Sequence, residues 1–364
     1  MPDGTVKKFK ARIVIAAQNF TPGEDHAINC FAPTATVTSV REEVNACVQE
    51  DRECKSIDIG QAFTRCKRDR PLFSRAPPGR DRCYTPDGEE LFYEYCTAHY
   101  GPQSSPRQWA GEIHNHLVAQ GFRQCRTSEC CMYVMEQDGA QLRYILYVDD
   151  LMCSYPACHV NPAGEQMHLK VIKSLQDRFE LLKSNGELED GLTDCDAFIG
   201  LNFTWSPWVD GHREQCAVDM PNKLSSLLRA YDFEVCRATH VSWKSQRQPR
   251  LAQSSTESEY YAAADAVKEA ARIRALHDDL GYRTGPTTVH EDNQSCIKQS
   301  QNPCDREGQK HIDVRAHYLR EQTHAGNVVM EYVSTSLQIA DCLSKNLPRP
   351  AFELHRKAMG LAVE

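Results

Sequence analysis

The sequence contains no apolar run approaching the roughly 20 residues that a membrane-spanning helix needs. Its first residues, MPDGTVKKFKARIVIA, hold a short apolar stretch without a small-residue cleavage site, so we expect no signal peptide. Hydrophobic residues make up 41% and charged residues 25% of the 364 residues, which is ordinary for a chain that folds into two or three globular domains. We therefore expect an intracellular protein, cytoplasmic or nuclear, without a membrane partner.

The sequence also lacks the C-x-x-C arms of a zinc site, although it has 17 cysteines. The number is odd, the spacing is scattered and the chain is long, which argues against a disulfide framework. The close pair, Cys130 and Cys131, is adjacent and cannot form a C-x-x-C arm. We expect reduced thiols, and a zinc or redox protein built on these cysteines has no spacing to support it.

A strong basic excess, which many nucleic-acid-binding proteins have, is missing, because the formal net charge is −8. Residues 1–80 carry a net charge of +3, residues 81–240 carry −11 and residues 241–364 are neutral. A mildly basic front and an acidic middle would suit a polymerase that grips phosphates and holds metal ions, but random drift would give the same distribution. Charge alone decides nothing here.

Hydrophobic periodicity predicts alternating strands and helices in the first two thirds of the chain. The turn-prone Gln137-Asp138-Gly139 lies between two apolar strands and predicts a β-hairpin. Pro106 begins a helix with Trp109, Ile113, Leu117 and Val118 on one face. The predicted strands are 10–17, 54–59, 131–136, 143–148 and 151–154, and the other predicted helices are 38–48, 166–182 and 221–231. Residues 71–90 and 155–165 are expected to be loops, and 205–215 a polar hairpin tip or an insertion.

Two adjacent carboxylates between apolar strands, in Tyr147-Val148-Asp149-Asp150-Leu151, are the most informative feature. Like charges repel, and a fold keeps them together most readily when a divalent cation neutralises them. The alternative is an ordinary solvated pair in a β-turn. Asp58, at the end of another apolar strand, favours the first interpretation, because phosphoryl transfer by two metals uses carboxylates from separate strands.

Several strings occur in a fixed order within residues 8–236. They are KARIV, CFAPTATVTSVR, SIDIGQAF, RAPPGR, HYGPQSSPRQW, YVDDL and RFELLKSNGELEDGLTDCDAFIGLNF. In these strings, which cover most of residues 8–236, the sequence resembles the reverse transcriptase of copia-type LTR retrotransposon Pol polyproteins. The resemblance implies an α+β fold with palm and fingers. It also implies an RNA-directed DNA polymerase that uses Mg²⁺, with Mn²⁺ as an alternative, a primer-template of RNA or DNA, and deoxynucleoside triphosphates. Protein partners are not indicated.

By this resemblance, Asp58, Asp149 and Asp150 are the catalytic metal ligands. Phe63 matches the position that screens the sugar 2′-hydroxyl, and Tyr100 and Gly101 match a turn beside the incoming nucleotide. Lys10 and Arg12 fall on the fingers strand and are expected to touch its triphosphate. Phe63 could equally be a core residue, and Lys10 and Arg12 could form a solvated strand face.

Residues 241–348 resemble the ribonuclease H domain that follows reverse transcriptase in the same polyproteins, as an incomplete α/β segment. A strand is predicted to start at Val241, and Ser254 with Glu257 forms a capping box at the start of a helix. Glu259, Asp292 and Asp341 match the acidic ligands of the nuclease. His311 and Asp313 are interpreted as structural. The matching strings are SWKSQRQPRLAQSSTESEYYAAADAVKEA, VHEDNQS, KHIDVRAHYLRE and EYVSTSLQIADCLSK.

The chain departs from the family pattern in several places. His99 and Gln103 stand where the family usually has Leu and Lys. The thumb is expected to be reduced or missing, and so is the first nuclease strand with its Asp, because residues 232–236 run almost directly into Val241. The predicted segments are a reverse transcriptase (1–236), a junction (237–240), a partial nuclease (241–348) and a tail (349–364).

Two hypotheses remain open on this evidence. The chain is either a DNA polymerase with a degenerate, inactive ribonuclease H, or a catalytically inactive retrotransposon relic that retains nucleic-acid or protein binding. The intact Asp149-Asp150 pair favours descent from a working enzyme, whereas the missing segments favour the relic.

Overall fold

Helices and strands alternate along the chain, as the periodicity predicts. The computed structural model describes residues 14–17, 20, 30–76, 81–125, 130–181, 190–219, 232–235, 242–245, 248, 254–301, 314–359 and 361–362. The helices are α1 (Val37–Gln49), α2 (Ser105–Ala119), α3 (Ala163–Arg178), α4 (Ser255–Leu280), α5 (Gln294–Gln301), α6 (Val314–His324) and α7 (Arg349–Ala358), with 3-10 helices at Ala62–Arg65, Thr335–Leu337 and Ile339–Leu343.

The strands of the described residues form four separate sheets. They are β1 (Arg52–Asp58), β2 (Phe73–Ser74), β3 (Tyr93–Glu94), β4 (Arg123–Gln124), β5 (Met132–Gln137), β6 (Ala140–Tyr147), β7 (Asp150–Pro156), β8 (Ala197–Phe198), β9 (Leu201–Trp205), β10 (Cys216–Asp219), β11 (Asp232–Val235), β12 (Thr287–Glu291), β13 (Val328–Tyr332) and β14 (Leu361–Ala362). The sheet orders are β1-β7-β6-β5-β4, β14-β11-β10-β9-β8, β12-β13 and β2-β3.

Contacts divide the chain into two compact units. The first unit comprises Met1–Ala35, Cys54–Gln124 and Cys131–Cys195, and the second comprises Thr36–Glu53, Cys125–Cys130 and Asp196–Glu364. The junction predicted at 237–240 and the helix predicted at 221–231 lie outside the described residues. No helix of the described residues is long and apolar enough to cross a membrane.

The core of the first unit lies between its five-stranded sheet and helices α2 and α3. The helix predicted from Pro106 is confirmed, and Trp109, Ile113 and Leu117 are fully buried. Val118 is 46% exposed, so its assignment to the apolar face was wrong. A step of one residue turns a helix by about 100°, which carries Val118 away from the stripe that begins at Trp109.

The predicted hairpin between β5 and β6 is confirmed. Gln137 pairs with Ala140, and the two residues between them, Asp138 and Gly139, have φ angles of 53° and 73°. Positive φ at both positions is typical of the type I′ turn, whose twist matches that of the strands. The hairpin places β6 in the middle of the sheet, where Leu142, Tyr144 and Leu146 are buried.

A buried histidine links α3 to the sheet of the first unit. His168 lies between the Tyr144 hydroxyl, 2.6 Å from Nδ1, and the Gly191 carbonyl, 2.8 Å from Nε2. Its ring stacks on Tyr155 at 4.6 Å between centroids. Burial lowers the pKa of His168 to about 4, so the imidazole is neutral in the folded chain at neutral pH.

The second unit contains α1, the α4 helix and the parallel pair β12-β13. Helix α1 is confirmed, with its N-cap formed by Thr36, whose hydroxyl accepts a hydrogen bond from the Ser39 amide at 3.2 Å. The Ser254 cap of α4 is confirmed too, because its side chain accepts from the Glu257 amide at 3.1 Å. The segment predicted as a tail contains α7 and β14.

The strand predicted from Val241 is not formed in residues 242–245, which have no regular structure. Their side chains bind other parts of the second unit instead. Ser242 Oγ donates to Glu269 at 2.9 Å, and the Arg41 guanidinium lies 4.0 Å above the Trp243 ring. Within the described residues, β12 pairs only with β13, so this segment has no neighbouring strand on which to form a ladder.

Acid should destabilise the first unit through His168. The unfolded imidazole has a pKa near 6.5 and the folded one near 4, so the unfolded chain binds more protons between these values. Stability should therefore be full above about pH 6.5 and fall by about 3 kcal/mol as the pH drops to 4. Hydrogen exchange of the β6 and β7 amides across this range measures it.

The matched variants for this test are His168→Gln, which removes the titrating group, and His159→Gln, which changes an exposed histidine. The first should flatten the pH dependence and the second should leave it unchanged. An unaltered slope in His168→Gln would contradict the prediction.

Candidate active site

Asp58 reaches the site at the end of strand β1. Ile57 and Ile59 are buried in the core, and Asp58 between them is exposed, as the alternation of a strand requires. The Ile59 amide donates a hydrogen bond of 2.9 Å to the Asp149 carbonyl. Since β1 and β7 are neighbours in the sheet, this bond joins the two chain segments that carry the predicted ligands.

Asp149 and Asp150 lie at the turn of the β6-β7 hairpin. Tyr147 pairs with Asp150, so Val148 and Asp149 are the two turn residues and Asp150 begins β7. Val148 has a φ of 57°, a left-handed conformation that is strained for a β-branched residue. The Trp109 indole N–H donates to the Val148 carbonyl, which anchors the turn to helix α2.

The three aspartates lie close enough to interact electrostatically. Burial and the neighbouring charges of Asp149 and Asp58 raise the pKa of Asp150 to about 6. These carboxylates are hard oxygen donors of the kind that Mg²⁺ prefers, and a cation would relieve their repulsion. In the part of the chain that the structure describes, no group of three His, Cys, Asp or Glu side chains already stands at metal-binding spacing.

The structure brings some of the residues predicted to line the nucleotide site together with one another. Phe63, in the 3-10 helix Ala62–Arg65, contacts Tyr100 edge to face with ring centroids 5.0 Å apart. The Ile15 amide donates to the Tyr100 carbonyl at 2.8 Å. Gly101 has a φ of 112°, and a Cβ there would lie 1.9 Å from the Ile15 carbonyl oxygen, so only glycine fits.

Several predicted residues cannot be placed. Lys10 and Arg12, the predicted triphosphate contacts, lie outside the described residues, and so do His311 and Asp313.

A second acidic cluster forms in the second unit from the three residues predicted for the nuclease. Burial, then the charge of Asp292, raises the pKa of Glu259, and Asp341 adds to this while Lys345 opposes it. Asp292 follows β12 directly, and Asp341 lies in the 3-10 helix Ile339–Leu343. The structure therefore brings Glu259, Asp292 and Asp341 together.

Three contributors to the two clusters were missed at the level of the sequence. Trp109 was predicted as a core residue, and its bond to the turn was not foreseen. Glu291 is buried beside Glu259 and Asp292, with Oε1 accepting from the Asn293 amide at 2.9 Å. Lys345 Nζ lies 2.7 Å from Asp341 Oδ1. The i,i+4 spacing of Asp341 and Lys345 was the available signal for the last pair.

A family model described as reverse transcriptase (RNA-dependent DNA polymerase) matches residues 2–205, more than half of the chain. The chain belongs to this reverse transcriptase family. The resemblance to copia-type Pol polyproteins is confirmed by similarity over the whole chain to curated relatives. No solved structure matches this reverse transcriptase chain.

Three curated relatives illustrate the similarity. The Pol polyprotein from transposon RE1 of Arabidopsis thaliana is 23% identical over 456 residues, which cover 99% of this chain and 31% of the relative. The Pol polyprotein from transposon TNT 1-94 of Nicotiana tabacum is 21% identical over 470 residues, or 99% and 35%. A putative transposon Ty5-1 protein of Saccharomyces cerevisiae is 27% identical over 148 residues, or 40% and 42%.

The lengths of these matches carry further information. The reverse transcriptase chain spans about a third of the two polyproteins that it matches along its whole length. The match to RE1 extends over 456 residues, whereas the chain has 364, so the relative has stretches without a counterpart here.

Relieving the strain at Val148 should stabilise the β6-β7 hairpin. Val148→Gly removes the Cβ that disfavours a φ of 57°, and we expect a gain of about 1 kcal/mol in the free energy of opening of the β6-β7 hairpin. Hydrogen exchange of the hairpin amides measures it. The control is Val209→Gly, at an exposed valine without positive φ that pairs with His212 across a two-residue turn, and this change should destabilise that turn. Equal losses in both variants would refute the strain at Val148.

Removing the charge of Asp150, which Asp149 and Asp58 repel, should stabilise the fold at neutral pH. The folded pKa of Asp150, about 6, exceeds the unfolded value near 3.8, so folding binds protons between them and stability falls as the pH rises through this window. Asp150→Asn, without divalent ions, should raise the unfolding midpoint at pH 7.5 and lose this advantage toward pH 4. The control is Asp138→Asn, in the exposed β5-β6 turn, which should leave the pH dependence of the unfolding midpoint unchanged. If Asp150→Asn shifts the midpoint by the same amount at every pH, repulsion among the three carboxylates is not the cause.

Proposed function

We propose that this chain is an RNA-directed DNA polymerase whose active site consists of Asp58, Asp149 and Asp150. The observation that supports this best is the electrostatic interaction of Asp150 with Asp149 and with Asp58, which is about 90 positions away along the sequence but on the neighbouring strand of the sheet. Membership of the reverse transcriptase family supplies the reaction class. The sheet β1-β7-β6-β5-β4 would be the palm. The segment around Ile15 and Phe63 would belong to the fingers.

The proposed cofactor is Mg²⁺, with Mn²⁺ as an alternative, held by Asp58, Asp149 and Asp150. The donor set fits, because it consists of carboxylates from two neighbouring strands whose repulsion a cation would relieve. When bound, the ions would activate the attacking hydroxyl and stabilise the leaving oxygen. We assign the ligands and no coordination geometry, since the described residues hold no three donors at metal-binding spacing.

The remaining residues of the site would position the substrates. The edge-to-face pair of Phe63 and Tyr100 presents an aromatic wall that would pack against the sugar of a deoxynucleotide and leave no room for a 2′-hydroxyl. The Tyr100-Gly101 turn, held by Ile15, would bring backbone close to the nucleotide. Lys10 and Arg12 remain proposed contacts to its triphosphate. The proposed partners are an RNA or DNA primer-template and deoxynucleoside triphosphates.

The proposed segment boundaries are based on the resemblance to the family, and not on the two compact units that the contacts define. Residues 1–236 would be the polymerase with a reduced or missing thumb, 237–240 a junction, 241–348 an incomplete ribonuclease H without activity, and 349–364 the end of the chain. The support is the segment 242–245, which forms no strand, and the two-stranded sheet β12-β13.

A catalytically inactive relic is the second candidate. The observation that favours it is the length of the match to RE1, which leaves stretches of the relative without a counterpart in this chain. If these stretches include the thumb, the chain would have few phosphate contacts, which supply most sequence-independent affinity for nucleic acid. Its remaining role would be weak binding of nucleic acid or protein.

Primer extension on an RNA template separates the two candidates. With Mg²⁺ and deoxynucleotides, the polymerase should extend the primer, and Asp149→Asn should reduce extension by at least about 100-fold because a metal ligand is lost. Asp138→Asn, on a distant turn of the same sheet, is the matched control and should retain activity. No extension at high concentration of a folded protein, checked by circular dichroism, would support the relic.

A further inference from the structure

The acidic cluster of the second unit contains a cation of its own. Lys345 Nζ lies 2.7 Å from Asp341 Oδ1, and Asp341 is buried. The charges of Asp292 and Glu259 also act on Lys345, in the same direction as that of Asp341. The ammonium therefore contacts one of the three carboxylates that were predicted to hold a metal ion and interacts electrostatically with the other two.

The three elements that carry the carboxylates all contribute to this arrangement. Glu259 comes from the first turns of α4, Asp292 follows β12, and Asp341 lies in the 3-10 helix Ile339–Leu343. Glu291, buried at the end of β12, adds a fourth carboxylate that senses Glu259 and Asp292. Four carboxylates with one ammonium leave the cluster negative, but the most buried member of the predicted ligand set, Asp341, has its own partner.

The residues present do not fit a divalent ion as they stand. One of the predicted ligands, Asp341, is already bound to an ammonium, that of Lys345, at 2.7 Å. A divalent cation would have to displace Lys345 from Asp341 and then share the cluster with a positive charge. The Lys345 amide also donates a hydrogen bond of 2.8 Å to the Asp341 carbonyl, which keeps the lysine close to Asp341.

We propose that Lys345 is the resident counter-cation of this cluster, so that the nuclease-like segment keeps its carboxylates together without a divalent ion and does not bind one. This inference is independent of the polymerase proposal, because it concerns residues of the second unit only. It gives a chemical reason for an inactive nuclease that a missing strand alone does not supply.

The test measures metal binding directly rather than activity. The parent protein is the full chain with Asp149→Asn and Asp150→Asn, so that the polymerase carboxylates no longer contribute a metal site. Mn²⁺ is titrated and its free concentration is followed by electron paramagnetic resonance. We expect no Mn²⁺ binding that depends on Glu259, as judged by comparison with Glu259→Gln in the same parent.

Removal of the ammonium should create the metal site. Lys345→Met in the parent should bind Mn²⁺ at least about 10-fold more tightly, because the competing charge is lost and Asp341 is freed. Adding Glu259→Gln should abolish the gain. Lys298→Met, at an exposed lysine of α5 in the same unit, is the matched control and should leave Mn²⁺ binding unchanged.

Each outcome decides the case. Glu259-dependent binding in the parent, or no gain in Lys345→Met, overturns the proposal. If Lys345→Met does not fold, Lys345→Gln takes its place. If neither Lys345 variant folds while Lys298→Met does, the circular-dichroism spectra of the Lys345 variants are recorded in 1 mM Mn²⁺. Recovery of the folded spectrum supports the proposal that the lysine takes the place of a metal ion. Failure to recover overturns the proposal. Failure of primer extension, by contrast, would leave this result untouched.

Discussion

The hydrogen bond between the Ile59 amide and the Asp149 carbonyl holds together charges that would otherwise move apart. Asp58 and Asp150 repel each other through space. Backbone geometry holds them close nevertheless, because neighbouring strands fix the positions from which both carboxylates project. The buried isoleucines on either side of Asp58 supply the apolar burial that keeps the end of β1 in place.

The turn that carries Asp149 also has an unfavourable local conformation that tertiary contacts offset. Val148 adopts a conformation that valine disfavours, and the Trp109 indole holds its carbonyl from the adjacent helix. Trp109 is itself fully buried and packs edge to face on Phe179. Strain that persists where the surroundings over-determine it is a frequent property of functional sites. A solvated β-turn with an incidental pair of aspartates would need neither the anchor nor the strain.

The sequence predicted the periodic elements well and the irregular ones poorly. Helix α1, helix α2 and the β5-β6 hairpin follow from valine spacing, Pro106 and Asp138-Gly139, because local chemistry decides them. The segment 242–245 was misassigned because a strand needs a partner, and pairing depends on residues far along the chain. Val118 was wrongly assigned to the buried face because it is one residue, or about 100° around the helix, beyond Leu117.

For the two acidic clusters too, local features could be predicted from the sequence and tertiary ones could not. The acidic residues could be named from motifs and resemblance, because their side chains have few other uses between apolar strands. Their electrostatic environment could not, since it depends on which groups approach from other elements. Glu291 and the Trp109 anchor give no local signal, and Lys345 gives only the weak signal of helical spacing. Charge balance is a tertiary property, whereas the presence of a carboxylate is a local one.

The two acidic clusters differ in one respect that bears on their chemistry. In the first unit, burial and the charges of Asp149 and Asp58 raise the pKa of Asp150, and the strands that carry these residues are hydrogen-bonded neighbours. In the second unit, an ammonium already sits against Asp341. A cluster that is destabilised when fully ionised gains free energy when a divalent ion binds, whereas a cluster with its own cation gains much less. Two clusters of carboxylates in one chain can therefore differ in how much a divalent ion would stabilise them, and the difference here lies in the lysine beside Asp341.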